Sequence, residues 1–150
     1  MTDEPSQGRI EGRVHRLPAR VYYEDTDFTG LVYHANYLKF FERGRSDFLR
    51  AIGIGHVELA EADTAFPVTR IDIRYLKAAR IDDALVVVTS FDTVSGARMG
   101  IAQSLLRGQE VAASAAVEVC CISMTGRAKR APALLVDKLK PYLEPKPSMF

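Results

Sequence analysis

Several things are scarce in this chain, and each absence narrows the kind of protein that it can be. Its 150 residues include no Trp and only two cysteines, Cys120 and Cys121, whose adjacency predicts neither a disulfide framework nor a metal site. No apolar run approaches the ~20 residues that a membrane-spanning helix needs. A formal net charge of +1 argues against a dedicated nucleic-acid-binding protein, which usually carries a large basic surface.

Two common catalytic motifs are also missing. The sequence contains neither a G-x-S-x-G nucleophile elbow nor a G-x-x-x-x-G-K phosphate-binding loop. Its opening residues, MTDEPSQGRIEGR, lack the apolar segment of a secretory signal, so we expect a cytoplasmic protein. Residues 1–14 are polar and aperiodic and predict a flexible tail, followed by a single domain over residues 15–145.

The hydrophobic pattern that remains predicts an α+β fold. A short β-prone run at residues 21–23 precedes an acidic loop, and a helical period then extends over about residues 35–52. Further strands are predicted at residues 69–75, 84–94, 98–106 and 111–123, a weak helix at 54–64 and a terminal helix at 134–140. Short turns between the last four strands predict an antiparallel meander, so the sheet would have five strands with the long helix on one face.

The long helix has one strongly apolar face. Tyr37, Phe40, Phe41, Gly44 and Phe48 recur at helical spacing, and charged residues fill much of the remaining surface. Gly44 costs about 1 kcal/mol relative to alanine in a helix, which predicts close approach of the helix to a neighbouring backbone. A helix with so many large aromatics needs extensive cover, as if it were wrapped by the sheet.

The loop between the first strand and the helix holds the strongest candidates for catalytic residues. Asp25 and Asp27 lie two residues apart, and His34 stands where the helical pattern begins. A carboxylate can act as a nucleophile or as a general base on an acyl group. A helix N-terminus offers free N–H groups to a developing oxyanion, so the amides around His34 are candidate donors.

Plainer interpretations of these residues remain open. Aspartates in strand-to-helix loops commonly cap helices and shape turns. A metal site formed by Asp25, Asp27 and His34 lacks further ligands in the sequence. Cys120 lies in a predicted buried strand, where packing is its expected role, and neither His15 nor His56 has a recognisable partner.

The stretch YYEDTDFTGLVYHANYLKFFERGRSDFL closely resembles the opening motif of the hotdog-fold acyl-CoA thioesterases. Within them it is most similar to the 4-hydroxybenzoyl-CoA thioesterase group and its relatives associated with the tol-pal cell-envelope system. The resemblance covers about residues 18–132. It implies a hotdog fold, hydrolysis of acyl-CoA without a metal or redox cofactor, and homodimers or homotetramers whose sites lie between subunits.

The resemblance also assigns roles by position. The family's catalytic carboxylate falls on Asp27, and its histidine, with the amide that polarises the carbonyl, falls on His34. Asp25 and Asn36 match positions that we take as structural. One departure is Phe28-Thr29, where the family usually has small residues, and we expect it to affect the size of the acyl pocket and not the chemistry.

Coenzyme A, which is part of the substrate, ends in a phosphorylated nucleotide that needs Arg or Lys. The positions that supply them in the family hold Arg98, and Arg127 with Lys129 and Arg130, and we take the three arginines as the candidates. Basic residues can equally dock an acidic acyl carrier protein, so a carrier-protein thioesterase is one alternative. A non-catalytic hotdog module that binds acyl ligands is the other.

Overall fold

A single antiparallel sheet curves around one long helix. The computed structural model describes residues 3–5 and 7–144. Its strands are β1 (Arg9–Glu11), β2 (Val14–Arg20), β3 (Val68–Tyr75), β4 (Ala84–Ser95), β5 (Arg98–Arg107) and β6 (Glu110–Cys120). Its α-helices are α1 (Tyr37–Ala51), α2 (His56–Glu61) and α3 (Ala133–Leu139). The predicted α+β architecture is confirmed, with six strands where five were predicted.

The apolar face of α1 packs on the concave side of the sheet, as predicted. Its five predicted core residues are all buried, against inward side chains of β4 and β5 such as Val87, Phe91 and Leu105. A Cβ added to Gly44 would lie 2.6 Å from Val87 Cγ1 and 2.7 Å from Thr89 Oγ1. The helix therefore approaches the sheet closely at Gly44, but it meets side chains of β4 and β5 and not a neighbouring backbone as predicted.

The first strand begins earlier than predicted. Residues 21–23 do not form it: β2 ends at Arg20, and a 3₁₀ turn follows at Tyr23–Asp25. The structure also differs from the predicted tail, because residues 9–11 pair with residues 14–16 as β1. Pro18 obscured the strand in the sequence. Since β1 covers only the first half of β2, Pro18 lies where one side of β2 has no neighbouring strand, and there a missing N–H is tolerated.

The predicted meander of four strands is wrong for β3. The strand order is β1-β2-β4-β5-β6-β3, so β3 pairs with β6 at the far edge while β4 to β6 form the meander. The link from β3 to β4 is not a tight turn. Residues 76–83, here called the connector, carry the chain past β6 and β5, starting with Leu76 and Lys77 amides bound to Ala112 O. Asp82, at φ +70°, makes only the final turn.

The predicted terminal helix is confirmed as α3, which ends at Leu139 before a 3₁₀ turn that contains Pro141. The stretch from Pro145, predicted to be loose, lies outside the described residues, as does the last residue of the predicted domain. No helix in the described ranges is long and apolar enough to cross a membrane.

Candidate active site

The stem of the acidic loop is held by Asp25. Its carboxylate is buried and accepts a 2.8 Å hydrogen bond from the amide of Tyr22, which caps the 3₁₀ turn. Its carbonyl oxygen accepts hydrogen bonds from the amide of Tyr33 and from Asn36 Nδ2, both at 3.0 Å. Asp25 and Asn36 thus join the two ends of the loop, which agrees with the structural roles expected for them.

The connector fixes this loop to the sheet. The amide of Val32 donates to Ala79 O at 2.8 Å, and the amide of Ile81 donates to Gly30 O at 3.0 Å. The hydroxyl of Tyr37, the first residue of α1, accepts a hydrogen bond from the amide of Ala79 at 3.1 Å. Loop, connector and helix N-terminus therefore form one hydrogen-bonded unit at the end of the sheet where β4 begins.

Asp27 lies at the exposed tip of the loop. Its amide donates to Leu31 O and its carbonyl accepts from the amide of Gly30, whose φ of +81° closes the turn. Carboxylate oxygen Oδ1 accepts hydrogen bonds from both the hydroxyl and the amide of Thr29, the latter at 2.8 Å. These two bonds, the hydroxyl first, lower the pKa of Asp27 below that of an ordinary aspartate. The group is therefore a carboxylate at neutral pH.

His34 opens the 3₁₀ turn (His34–Asn36) that leads into α1. Its ring is exposed and packs 4.5 Å from the ring of Tyr33, centroid to centroid. The hydroxyl of Tyr75, at the end of β3, donates to His34 O at 2.8 Å and so ties this turn to the sheet edge. The amide of His34 has no acceptor among the described residues. This is usual for the first amide of a helical segment, which has no carbonyl group one turn before it.

The structure thus places Asp27 and His34 on one loop without joining them. The antiparallel bridge between Thr26 and Val32 lies between the two residues and spaces them along the loop. In the described part of the chain, no hydrogen bond or ion pair connects their side chains. Both side chains are exposed to solvent.

Arg98, Arg127 and Arg130 gather at the opposite end of the sheet. Arg98 begins β5, and residues 128–131 run beside the β4–β5 hairpin, where the amide of Ala131 donates to Gly96 O. β4 has 12 residues and runs from one end of the sheet to the other, and an extended strand of that length spans at most about 36 Å. Within one chain these cations and Asp27 are therefore not brought together.

The three arginines are exposed, and their guanidinium groups make no hydrogen bond to other described residues. Lys129 differs from them. Its ammonium group donates to Ala62 O at 2.9 Å and to Asp63 O at 3.1 Å, at the C-terminal end of α2. It thus caps carbonyl groups of that helix, while its arginine neighbours remain open to a ligand.

A cavity of about 520 Å³, which we call the distal cavity, lies between the second half of α1, α2 and the sheet. Its wall is largely apolar and includes Leu49, Leu59, Phe66, Phe91, Met99, Ile101, Val119 and Met124. Arg45 lies in its polar part and donates to Gln103 Oε1 at 3.0 Å, and burial lowers the pKa of its guanidinium. No sequence motif predicts this cavity, because its wall is drawn from elements that are far apart in sequence.

Sequence reasoning also missed the partner of His15. This fully buried residue of β2 has its Nε2 2.8 Å from Asp47 Oδ2, which also accepts the amide of Gly8. No signal linked them, since 32 residues separate the pair. Cys120 and Cys121 are free thiols. Cys120, for which burial was predicted, is only partly buried, whereas Cys121 is buried, which raises the pKa of the Cys121 thiol to about 11. No group of three His, Cys, Asp or Glu in the described ranges is placed to hold a metal ion.

Comparison with known proteins places this geometry in a family context. The family model described as the thioesterase-like superfamily matches residues 21–140. The acyl-CoA thioesterase YbgC of Haemophilus influenzae is 40% identical over 131 residues, covering 87% of this chain and 88% of that protein. The acyl-CoA thioester hydrolase YbgC of Escherichia coli O157:H7 is 35% identical over 127 residues, covering 83% and 95%.

Solved structures agree. A probable thioesterase from Bartonella henselae superposes with a TM-score of 0.76 at 41% identity, covering 79% of this chain and 99% of that one. A DHNA-CoA thioesterase from Staphylococcus aureus has a TM-score of 0.77 at 24% identity, covering 86% and 88%, and at that identity it supports the fold alone. The predicted hotdog fold is confirmed by these neighbours.

Proposed function

Because the chain belongs to the thioesterase-like superfamily, we propose that it hydrolyses acyl-CoA thioesters at Asp27, releasing free CoA and a carboxylic acid. One observation carries the choice of site. An exposed carboxylate, ionised at neutral pH, stands on the same loop as the free amide of His34. A thioester carbonyl needs such a pair, because one group must attack or activate water while the other stabilises the oxyanion.

Two routes fit this geometry. As a nucleophile, Asp27 bonds to the carbonyl carbon, the C–S bond breaks, and water then hydrolyses the resulting anhydride. As a general base, Asp27 takes a proton from water as the water oxygen bonds to that carbon, and the thiolate leaves. In both routes the carbonyl oxygen gains negative charge, which the amide of His34 and the positive end of the helical segment stabilise. The imidazole of His34 orients water or substrate beside them.

The complete site draws on two copies of the chain. β3 pairs with β6 and with no other strand in the described ranges, so its other edge is open. Antiparallel pairing of two β3 edges sets the Tyr75 end of one copy beside the Val68 end of the other. Val68 lines the distal cavity, and its end of the sheet also carries Arg98. The acidic loop of one copy then meets the cavity and the arginines of the second.

This arrangement assigns a part of the substrate to each region. The CoA phosphates bind Arg98, Arg127 and Arg130 of the second copy through charge-assisted hydrogen bonds. The acyl group enters the distal cavity, and no cofactor is required. The free thiols of Cys120 and Cys121 suit a reducing compartment, so a cytoplasmic location belongs to the same proposal. The three exposed arginines also favour one alternative, in which the acyl group arrives on an acidic carrier protein.

Substitution of the proposed catalytic carboxylate tests the reaction. Asp27→Asn should lower kcat about 10²–10⁴-fold in a thiol-release assay, because the amide can neither attack nor accept a proton. Glu24→Gln removes an exposed carboxylate three residues away and should retain activity. The assay uses short, long and aromatic acyl-CoAs, together with one acyl chain on both CoA and acyl carrier protein.

The outcomes separate the alternatives. Full activity of Asp27→Asn contradicts the assignment of Asp27. Faster turnover on the carrier protein than on CoA selects the carrier-protein thioesterase. Binding of acyl-CoA without turnover by the wild-type protein indicates a non-catalytic module.

A further inference from the structure

Thr29 contacts the proposed catalytic group more closely than any other residue of the loop. Its hydroxyl and its amide both donate to Asp27 Oδ1, while the second oxygen, Oδ2, has no protein partner among the described residues. The Thr29 hydroxyl oxygen also lies 3.4 Å from the amide of Leu31, which donates to it. Because that amide occupies the acceptor side of the oxygen, the single hydroxyl proton points at the carboxylate.

We propose that Thr29 is a positioning residue for hydrolysis: it holds the Asp27 carboxylate by Oδ1 and presents Oδ2 to the thioester. This inference rests on the proposed role of Asp27. The rotation of a carboxylate about its last torsion is soft, so an exposed aspartate at a loop tip samples a broad range of orientations. Two donors that converge on one oxygen fix the plane of the group, and reactions depend steeply on such alignment.

The position after Phe28 therefore bears on the chemistry as well as on the acyl pocket. Phe28 itself points fully into solvent, with a relative exposure of 101%, and contributes nothing to the hold on Asp27. A small side chain without a hydroxyl at residue 29 would leave only the amide bond. This proposal goes beyond the expectation that the Phe28-Thr29 departure affects the size of the acyl pocket, which stays a prediction.

The same bonds set the charge of the carboxylate. The hydroxyl bond and then the amide bond of Thr29 are the largest causes of the lowered pKa of Asp27. The other titratable groups near the loop do not bond to it: Asp25 faces inward to the Tyr22 amide, His34 lies beyond the Thr26–Val32 bridge, and Arg80 bridges Leu31 through its backbone. A lowered pKa keeps the carboxylate ionised further into acid, so activity is lost only as the pH falls through that lowered value.

Three variants separate positioning from simple loop structure. Thr29→Val keeps the shape and the amide but removes the hydroxyl, and Thr29→Ser keeps the hydroxyl. Thr26→Val is the matched control, since the Thr26 hydroxyl donates to Tyr23 O in the same loop and does not touch Asp27. Measurements are kcat and KM on acyl-CoA, the pH profile of kcat/KM, and titration of the Asp27 carboxyl carbon by NMR.

Thr29→Val should lower kcat about tenfold, because the freed carboxylate is misaligned in most encounters, and should change KM less than about twofold. In this variant the pKa of Asp27 should rise towards that of an ordinary aspartate. The acid limb of the pH profile of kcat/KM should move to higher pH with it. Thr29→Ser and Thr26→Val should stay within about twofold of wild type with unchanged acid limbs.

Wild-type kcat in Thr29→Val, or an unmoved pKa of Asp27 in that variant, overturns the positioning role. An equal loss in Thr26→Val also overturns it, since the loop as a whole would then be responsible. Failure of the underlying function looks different, because Asp27→Asn would itself be fully active.

Discussion

The buried pair of His15 and Asp47 joins three segments through hydrogen bonds to one carboxylate oxygen. Asp47 Oδ2, on α1, accepts the amide of Gly8 and contacts His15 Nε2, so β2 and the segment before β1 both depend on one carboxylate. The ring of His15 also packs 5.8 Å from Phe48, centroid to centroid. Buried polar groups that lose such a partner pay the full cost of their desolvation.

Asp47→Ala should therefore lower the free energy of unfolding by about 2–4 kcal/mol, because it leaves two donors without an acceptor. Urea unfolding at pH 7 measures this change. Ser46→Ala is the neighbouring control: Ser46 is exposed, its hydroxyl bonds only to Glu42, and it should change stability by less than about 0.5 kcal/mol. Equal stability of the two variants would contradict the structural role of the pair.

Sequence reasoning reached some of these residues and not others. Asp25 and Asn36 were correctly taken as structural, since capping and turn-forming residues act on backbone groups close in sequence. His15 was wrongly left without a partner, because its partner lies on another element. The hold of Thr29 on Asp27 was also missed, since it depends on the exact turn that Gly30 closes.

At the scale of elements, α1 approaches the sheet closely at Gly44. A methyl group there would overlap Val87 Cγ1 and Thr89 Oγ1 and approach Gln103 Nε2 at 3.1 Å. Gln103 is itself fixed, because its Nε2 donates to Phe41 O and to Thr89 Oγ1. The neighbours can therefore move little to admit an added atom.

Gly44→Ala should destabilise the protein by about 1–3 kcal/mol through overpacking, although alanine favours a helix by about 1 kcal/mol. The measurement is again urea unfolding, and Ser46→Ala on the exposed face of the same helix serves as the reference. A Gly44→Ala protein that is more stable than wild type would show that the helix can move away from the sheet at no cost.

Periodicity predicted the bounds of α1 and of β3 to β6 to within a few residues, because these elements bury one face and the apolar spacing records it. It failed for β2, where His15 and Pro18 interrupt the β-prone composition. It also failed for the pairing of β3, since no local pattern shows that the connector crosses two strands before β4 begins.

At the scale of the whole molecule, the separation of Asp27 from the arginines is the main constraint on mechanism. The two sets of groups lie at opposite ends of the 12-residue strand β4, so in the proposed arrangement they serve one substrate across a pair of chains. The family resemblance predicted the individual residues from the sequence. It could not show their separation, which follows from the strand order.

Mixing two impaired variants tests this arrangement. Asp27→Asn removes the carboxylate, and Arg98→Glu should raise KM for acyl-CoA by replacing a phosphate-binding cation with a repelling charge. When the two proteins are unfolded together and refolded, each mixed dimer has one site with both native residues. Activity at low acyl-CoA concentration should then exceed that of either parent. The control is each variant refolded alone, and no gain on mixing would place both groups in the same chain's site.

The hydrogen bonds between the connector and the acidic loop have a consequence for the substitutions that this protein can accept. The stem of the loop shares its hydrogen bonds with residues 79–82, so a change in either segment disturbs the other. Phe28, at the tip of the loop, makes no hydrogen bond to the connector and is fully exposed. A substitution in the stem therefore has to remain compatible with the connector, and one in the connector with the stem, whereas a substitution of Phe28 disturbs neither set of hydrogen bonds.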